Sequence, residues 1–399
     1  MNVLSKFLSN RHVADALAGL AILCIAIALV MFPKESVEAA KSGITLSANV
    51  IIPSLFPFFV LSTLLVDLGL ANYFGKALER IMRPFFNLSG SCSSALALGL
   101  IGGYPVGAKT AISLFEKGLC TREEAERMLS FCNNSGPAFI LGVVGAGVFS
   151  SGRIGILLYL AHAIASLFVG FMFRFYKSGK RPGKKIRPAP IPQFEAPHLT
   201  QAFTDAVKNA FYATLNICAF VIFFTVFIRL LFLSGVLPSL ASLLGTLFSP
   251  FGFTKSWAEH LLTGFIEMTA GIWTLNGGEA LAGRLSMAAF MLGWAGISVH
   301  CQVLSFIGNS GLSVRTYVAG KALHGVFSAV IIQIFLVLFR LDEPASSYLA
   351  DQIRSIASMN FQSALTLSIV TAWSVWLIFL IVSFLGLRKR SGKNRKRPV

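Results

Sequence analysis

Long apolar runs, broken at a few places by small or polar residues, make up most of the chain. A helix needs about 20 apolar residues to cross the hydrocarbon core of a bilayer. Eight stretches meet that requirement: 16–32, 43–70, 129–149, 154–175, 206–233, 286–308, 316–339 and 361–387. Two more apolar stretches are interrupted. Residues 91–115 contain the run Gly102-Gly103-Tyr104-Pro105-Val106-Gly107 and then Lys109, and residues 257–275 contain small and polar residues around Glu267. The pattern predicts an all-α integral membrane protein.

Charge decides whether the interrupted stretches cross. With Lys6 and Arg11 inside, two crossings bring Lys76, Arg80 and Arg83 back to the inside, as the positive-inside rule requires. A full crossing at 91–115 would then put the basic segment 177–187 outside. A stretch that dips in and returns keeps it inside. The same parity holds for 257–275 and the basic tail at 389–397. The expectation is eight spans plus two re-entrant hairpins, at 91–115 and 257–275, with both termini cytoplasmic.

An internal repeat agrees. Glu38, Lys41 and Asn49 recur with one offset as Asp205, Lys208 and Asn216; Leu96, Gly99 and Ile101 recur at nearly that offset as Leu261, Gly264 and Ile266. Parity makes the halves inverted. The stretch with Lys76, Arg80 and Arg83 has a counterpart at 236–253 that carries no basic residue, as it should if the two lie on opposite sides. The predicted organisation is an N-terminal span at 1–34, a first repeat at 35–176, and a basic Pro-rich cytoplasmic linker at 177–199. A second repeat at 200–340, a last span at 341–387 and a basic cytoplasmic tail at 388–399 follow. The linker serves as tether and topology signal. Thr121 and Glu124 have the spacing of a capping box for a short cytoplasmic helix.

Composition excludes other classes. Only 13% of the 399 residues are charged, against roughly 25% in soluble domains. The net charge of +17 sits in blocks after apolar runs, which is a topology signal and argues against a nucleic-acid partner. The six cysteines lack C-x-x-C spacing and read as small apolar packing, with no metal site. No G-x-S-x-G, H-E-x-x-H or P-loop run is present, so no catalytic residues are assigned and the chain is read as a non-enzyme without a cofactor.

The breaks at membrane depth carry the candidate chemistry. Gly102 and Gly103 permit a turn, Pro105 suits a first helical position, and the amides of Val106, Gly107 and Ala108 would face an anion, with Lys109 adding a full charge. Asn133, Asn134, Ser135, Gly136 and Pro137 interrupt the next span in the same manner. In the second half Glu267 lies near Thr263 and Thr269, and the following span offers Trp294, Ser298, His300 and Gln302. Glu267 is a candidate for a coupling proton or sodium ion, or for a pair with Lys109. The expected substrate-binding set is Gly103, Tyr104, Gly107, Lys109, Asn133, Asn134, Ser135, Glu267, Thr269, Ser298, His300 and Gln302, with Asn49 and Asn216 as structural polar pins. Lys321 and His324 share a helix face and read as lining an aqueous vestibule.

The runs 102–109 and 131–137 resemble the signature runs of the sporulation integral membrane protein family called YlbJ or SpoVV, and the resemblance extends over nearly the whole chain. Each half is similar to the nucleoside-recognition gate domain, a unit akin to concentrative nucleoside transporters. The resemblance implies an inverted-repeat transporter with two re-entrant hairpins in a multi-pass cell membrane. It further implies movement of dipicolinic acid from mother cell toward forespore, across the outer forespore membrane if the host forms spores. A lysine at the hairpin suits such a small organic anion. A nucleoside or nucleobase transporter and a non-transporting component of a sporulation complex stand as alternatives, and homo-oligomerisation stays open.

Overall fold

The computed structural model describes residues 11–68, 70–177, 196–277, 280–308 and 310–339, together with 366, 373, 376 and 377. No strand occurs among the described residues. The predicted span at 361–387, the basic tail and most of the linker lie outside them.

The first half begins with α1 (Arg11–Met31) and α2 (Pro33–Leu46), the latter opened by Pro33. A π-helical turn at Ser47–Ile51 leads into α3 (Ile52–Asp67), and α4 (Leu70–Phe86) follows. Next come α5 (Ser93–Gly102) and α6 (Val106–Glu116), antiparallel neighbours joined at Gly103-Tyr104-Pro105. The predicted capping box at Thr121 and Glu124 opens α7 (Arg122–Leu129), with both reciprocal hydrogen bonds present. An irregular segment leads to a π-helix, Ala138–Val148, and Ser151 caps α8 (Gly152–Phe173).

The second half repeats the order: α9 (Ala196–Leu233), α10 (Val236–Leu247), α11 (Lys255–Ile266), α12 (Met268–Trp273), α13 (Leu281–Trp294), α14 (Gly296–Ile307) and α15 (Val314–Phe339). Both predicted hairpins are helix pairs. Glycines allow each pair to close. A Cβ on Gly99 or Gly107 would lie 1.8 or 1.9 Å from the Cys132 carbonyl oxygen, so α5 and α6 pinch that carbonyl between them. A Cβ on Gly271 would lie 2.1 Å from the Gly264 Cα across α11 and α12.

By length and apolarity, four described helices can cross a membrane: Gly152–Phe173, Leu199–Leu233, Leu281–Ile307 and Val314–Phe339. The number rises to six if two bent pairs, with angles of 101° and 92°, each count as one. The stretch 43–70 is not one regular helix, since a π turn interrupts it, and 129–149 is broken at its polar run before Ala138 as expected. Residues 16–32 form α1, which bends sharply into α2.

Helices from the two halves pack antiparallel. Gly43 abuts Ile222, and Ser47, one turn on, meets Cys218 on α9. On α8, Arg153 donates to the Phe339 carbonyl at 3.1 Å and the His162 ring lies 4.3 Å from that of His324 on α15. Tyr159, His162 and Ser166 on α8 have the same spacing as Lys321, His324 and Ser328 on α15, and all six are buried. Matching positions that meet at an antiparallel crossing are what inverted repeats require.

At one end of this crossing Glu126, on α7, is fully enclosed. Its carboxylate accepts from Lys177 at 2.7 Å, Arg122 and Tyr176 each at 3.1 Å, and the Ser313 amide at 3.2 Å. Burial alone would raise its pKa; hydrogen bonds from Lys177, Arg122 and Tyr176 outweigh that and hold it below the ordinary carboxylate value. A depressed pKa contributes stability that is present above the ordinary value and lost as pH falls through the depressed one. The thermal midpoint of solubilised protein should therefore fall on acidification below about pH 4.5. In Glu126→Gln that step should shrink, with a lower midpoint at neutral pH.

Exposed Arg80 and Ser239 serve as topology reporters. In intact cells expressing a variant without native cysteines, Arg80→Cys should react only with membrane-permeant thiol reagents. Ser239→Cys should also react with impermeant ones. The same labelling pattern at both positions would contradict the inverted arrangement.

Candidate functional site

The two hairpins and the two broken segments come together in matching pairs. Gly103 takes φ of +79°, which a glycine adopts without strain, and its Cα side faces the Gly136 amide. Gly296, also at φ +79°, faces the Met268 amide in the same way. Each hairpin tip thus rests against the break in the segment that follows it. The Val106 amide is not free, since it donates to the Gly103 carbonyl at 2.9 Å, and Pro105 caps α6 instead of entering it.

Asn133, Asn134 and Ser135 are buried. Beneath them lies Lys321, with no exposed surface. Its Nζ donates to the Tyr104 hydroxyl at 3.0 Å, to the Asn133 carbonyl at 2.9 Å and to His324 Nδ1 at 3.1 Å. Three donors meet three acceptors, all neutral. The His162 carbonyl lies 2.9 Å from His324 Nε2 and can only accept, so the His324 proton is assigned to Nε2 and Nδ1 is left as acceptor. His162 Nε2 accepts from the Ser135 amide at 3.0 Å, which assigns the His162 proton to Nδ1. Tyr317 joins the group from the same helix: its hydroxyl is 3.0 Å from His300 Nδ1 and accepts from Asn133 Nδ2 at 3.4 Å. Tyr104 in turn donates to the Leu292 carbonyl of the second half.

Several polar atoms here are buried without a protein partner: Asn133 Oδ1, Asn134 Oδ1, His162 Nδ1 and His300 Nε2. Such atoms cost free energy unless a ligand or water meets them. No carboxylate lies within ion-pair distance of Lys321 among the described residues. An ammonium buried against neutral acceptors alone costs several kcal/mol.

The other expected site residues lie elsewhere. Lys109 points away from Asn133, toward the Asn209 carbonyl at 3.4 Å and over the Phe59 ring at 4.7 Å. It lines a separate cavity of about 710 Å³ with Asp67, Lys117, Asn209 and Asn216. The lysine beside Asn133 is Lys321, so the vestibule reading of Lys321 and His324 is corrected, and so is the placing of Lys109 beside the asparagines. Glu267 is buried and caps α12, accepting from the Ala270 amide at 2.7 Å, with Thr269 beside it. It makes no ion pair with Lys109 among the described residues. Trp294 stacks on Phe265 and packs edgewise on His300. Ser298 and Gln302 are buried one turn apart on α14 at 3.5 Å. Asn216 donates to Ser305, and Asn49 is exposed on the π turn. Gly107 serves the pinch on Cys132. His162 and Tyr317 were not expected; the shared spacing of polar residues on α8 and α15 is the signal that marks the first of them.

Fold and site together define a polytopic helical membrane protein with paired hairpins closing on a buried polar centre. Residues 48–177 match the Gate family, described as nucleoside recognition. The sporulation integral membrane protein YlbJ of Bacillus subtilis is 32% identical over 323 residues, 77% of this chain and 79% of its own length. The chain belongs to the YlbJ family of sporulation integral membrane proteins. An uncharacterised protein of Alkalihalophilus pseudofirmus is 30% identical over 98 residues, 24% of this chain and 21% of its own. Two variants of CNTnw in an outward-facing state, 13% and 14% identical, cover 82% and 81% of this chain and 86% of theirs, with TM-scores of 0.46 and 0.48.

Proposed function

We propose that this chain is a secondary transporter of a small organic anion, with dipicolinic acid, moved across the outer forespore membrane during sporulation, as its leading substrate. The observation that carries this reading is Lys321: a fully buried lysine whose partners are all neutral, where hairpin tip and broken segment meet. A carboxylate beside it would supply the missing counter-charge. His162 Nδ1, which carries the proton, would donate to the second carboxylate, and the unpartnered asparagine oxygens, which only accept, would take water molecules that bridge to the ligand. Residues 35–176 and 200–340 act as two inverted repeats, with hairpins that re-enter the membrane from opposite sides. Membership of a sporulation family fits the proposed setting.

The Gate match supports a second reading, a nucleoside or nucleobase carrier, in which the same orphan atoms would meet base edges. Uptake by purified protein in liposomes separates the two. Labelled dipicolinate should enter, unlabelled pyridine dicarboxylates should compete, and neutral nucleosides should not. Nucleoside uptake without dipicolinate uptake would reverse the assignment. Uptake of neither would favour a non-transporting membrane component.

A further inference from the structure

The partners of Lys321 can satisfy it in two protonation states. As an ammonium it donates three hydrogen bonds, to the Asn133 carbonyl, His324 Nδ1 and the Tyr104 oxygen, while the Tyr104 hydroxyl donates to the Leu292 carbonyl. As a neutral amine it has two N–H groups and a lone pair. The carbonyl and His324 Nδ1 still accept from the N–H groups. The Tyr104 hydroxyl then needs only to rotate, from Leu292 to the amine lone pair. His324 cannot change role, because the His162 carbonyl fixes its Nε2 proton. The neighbouring titratable groups are Tyr104 from the first hairpin, Cys132 before the break, His162 from α8, His300 from α14 and Tyr317 on α15 itself. No Asp or Glu among the described residues is within ion-pair distance of these histidines or of Lys321.

We propose that the carrier moves a proton with each anion, that Lys321 holds that proton, and that Tyr104 is the positioning residue that lets the site empty. This rests on the anion reading above. Loaded, the ammonium neutralises one of the substrate's two carboxylates, so the dicarboxylate crosses with one net negative charge instead of two. When the site opens on the far side the carboxylate leaves. The Nζ–H bond then breaks with its electron pair kept on nitrogen, and the proton passes to a water oxygen. The neutral amine, held by the rotated Tyr104 hydroxyl, permits the empty carrier to return. An empty carrier that kept its ammonium would have to move an unpaired charge through a dry site, at several kcal/mol. Net uptake is thereby tied to proton movement, whereas exchange of one anion for another is not.

Liposomes containing purified protein and a lumenal pH dye test this. External dipicolinate, with no imposed gradient, should acidify the lumen. An acid-outside gradient should drive accumulation without sodium, and a protonophore should abolish it. Arginine does not deprotonate in proteins, so in Lys321→Arg the ratio of net uptake to exchange should fall to background. Tyr104→Phe has no hydroxyl to offer the amine, so its ratio should fall as well. The phenylalanine variant decides the matter if the arginine variant does not bind. Accumulation driven by sodium and not by protons would overturn the inference. So would a Tyr104→Phe ratio equal to that of the unmodified protein. Failure of the unmodified protein to exchange dipicolinate at all would instead remove the anion reading, and this inference with it.

Discussion

Lys321→Ala should abolish dicarboxylate binding that is detectable as ligand-dependent thermal stabilisation. Truncating one member of a buried hydrogen-bonded charge pair costs about 2–5 kcal/mol. Affinity should therefore fall roughly 30-fold or more. The alanine also leaves Asn133, His324 and Tyr104 short of a partner, so a second replacement is informative. Lys321→Met leaves the same three acceptors without their donor but fills most of the space, so it avoids the cavity that alanine creates. The methionine variant should melt, without ligand, above the alanine variant, yet show no ligand shift. Lys109→Ala should lose far less, because Lys109 lines a cavity apart from the asparagines. A full loss in Lys109→Ala with little change in Lys321→Met would move the anion site to that cavity.

Gly107→Ala should be among the most damaging small substitutions in the chain. The added methyl would meet the Cys132 carbonyl oxygen at 1.9 Å, and on the other helix of the hairpin Gly99→Ala would meet it at 1.8 Å. The obstacle is backbone and has no rotamer to change. Overpacking costs about 1–3 kcal/mol, and more where nothing can yield. Cys132 directly precedes Asn133, so any retreat of the hairpin also shifts the polar centre. Both variants should show reduced yield of folded protein and a lower melting temperature. Gly152→Ala, with open space around it, should behave as the unmodified protein.

The hairpins and breaks were legible because glycine, proline and asparagine inside apolar runs have few other physical explanations. The capping box at Thr121 was legible because it is local. The identity of the central lysine was not. Lys109 follows a glycine-rich turn and Lys321 sits in an ordinary span, so local context favoured the wrong lysine for the place beside Asn133. What decides is the side of α6 on which each residue falls. Gly107 faces Cys132, and Lys109, two residues on, is directed to Asn209 and Phe59. Only packing brings α15 beneath the Asn133 carbonyl. The interruption of 43–70 was not legible, because hydropathy records length and apolarity and does not register a π turn.

Glu126 gives the α8–α15 crossing a handedness of effort. The two helices meet at His162 and His324 as the arms of a pair of tongs meet at their pivot. On one side of the pivot, Glu126 grips both the residues that follow α8 and those that precede α15, with four donors on one enclosed carboxylate. On the other side the described residues offer a single exposed hydrogen bond, from Arg153 to Phe339. Equal pulls would part the loosely held jaws first. In the proposed carrier the end away from Glu126 should therefore part first, and Glu126→Gln should even out the two ends.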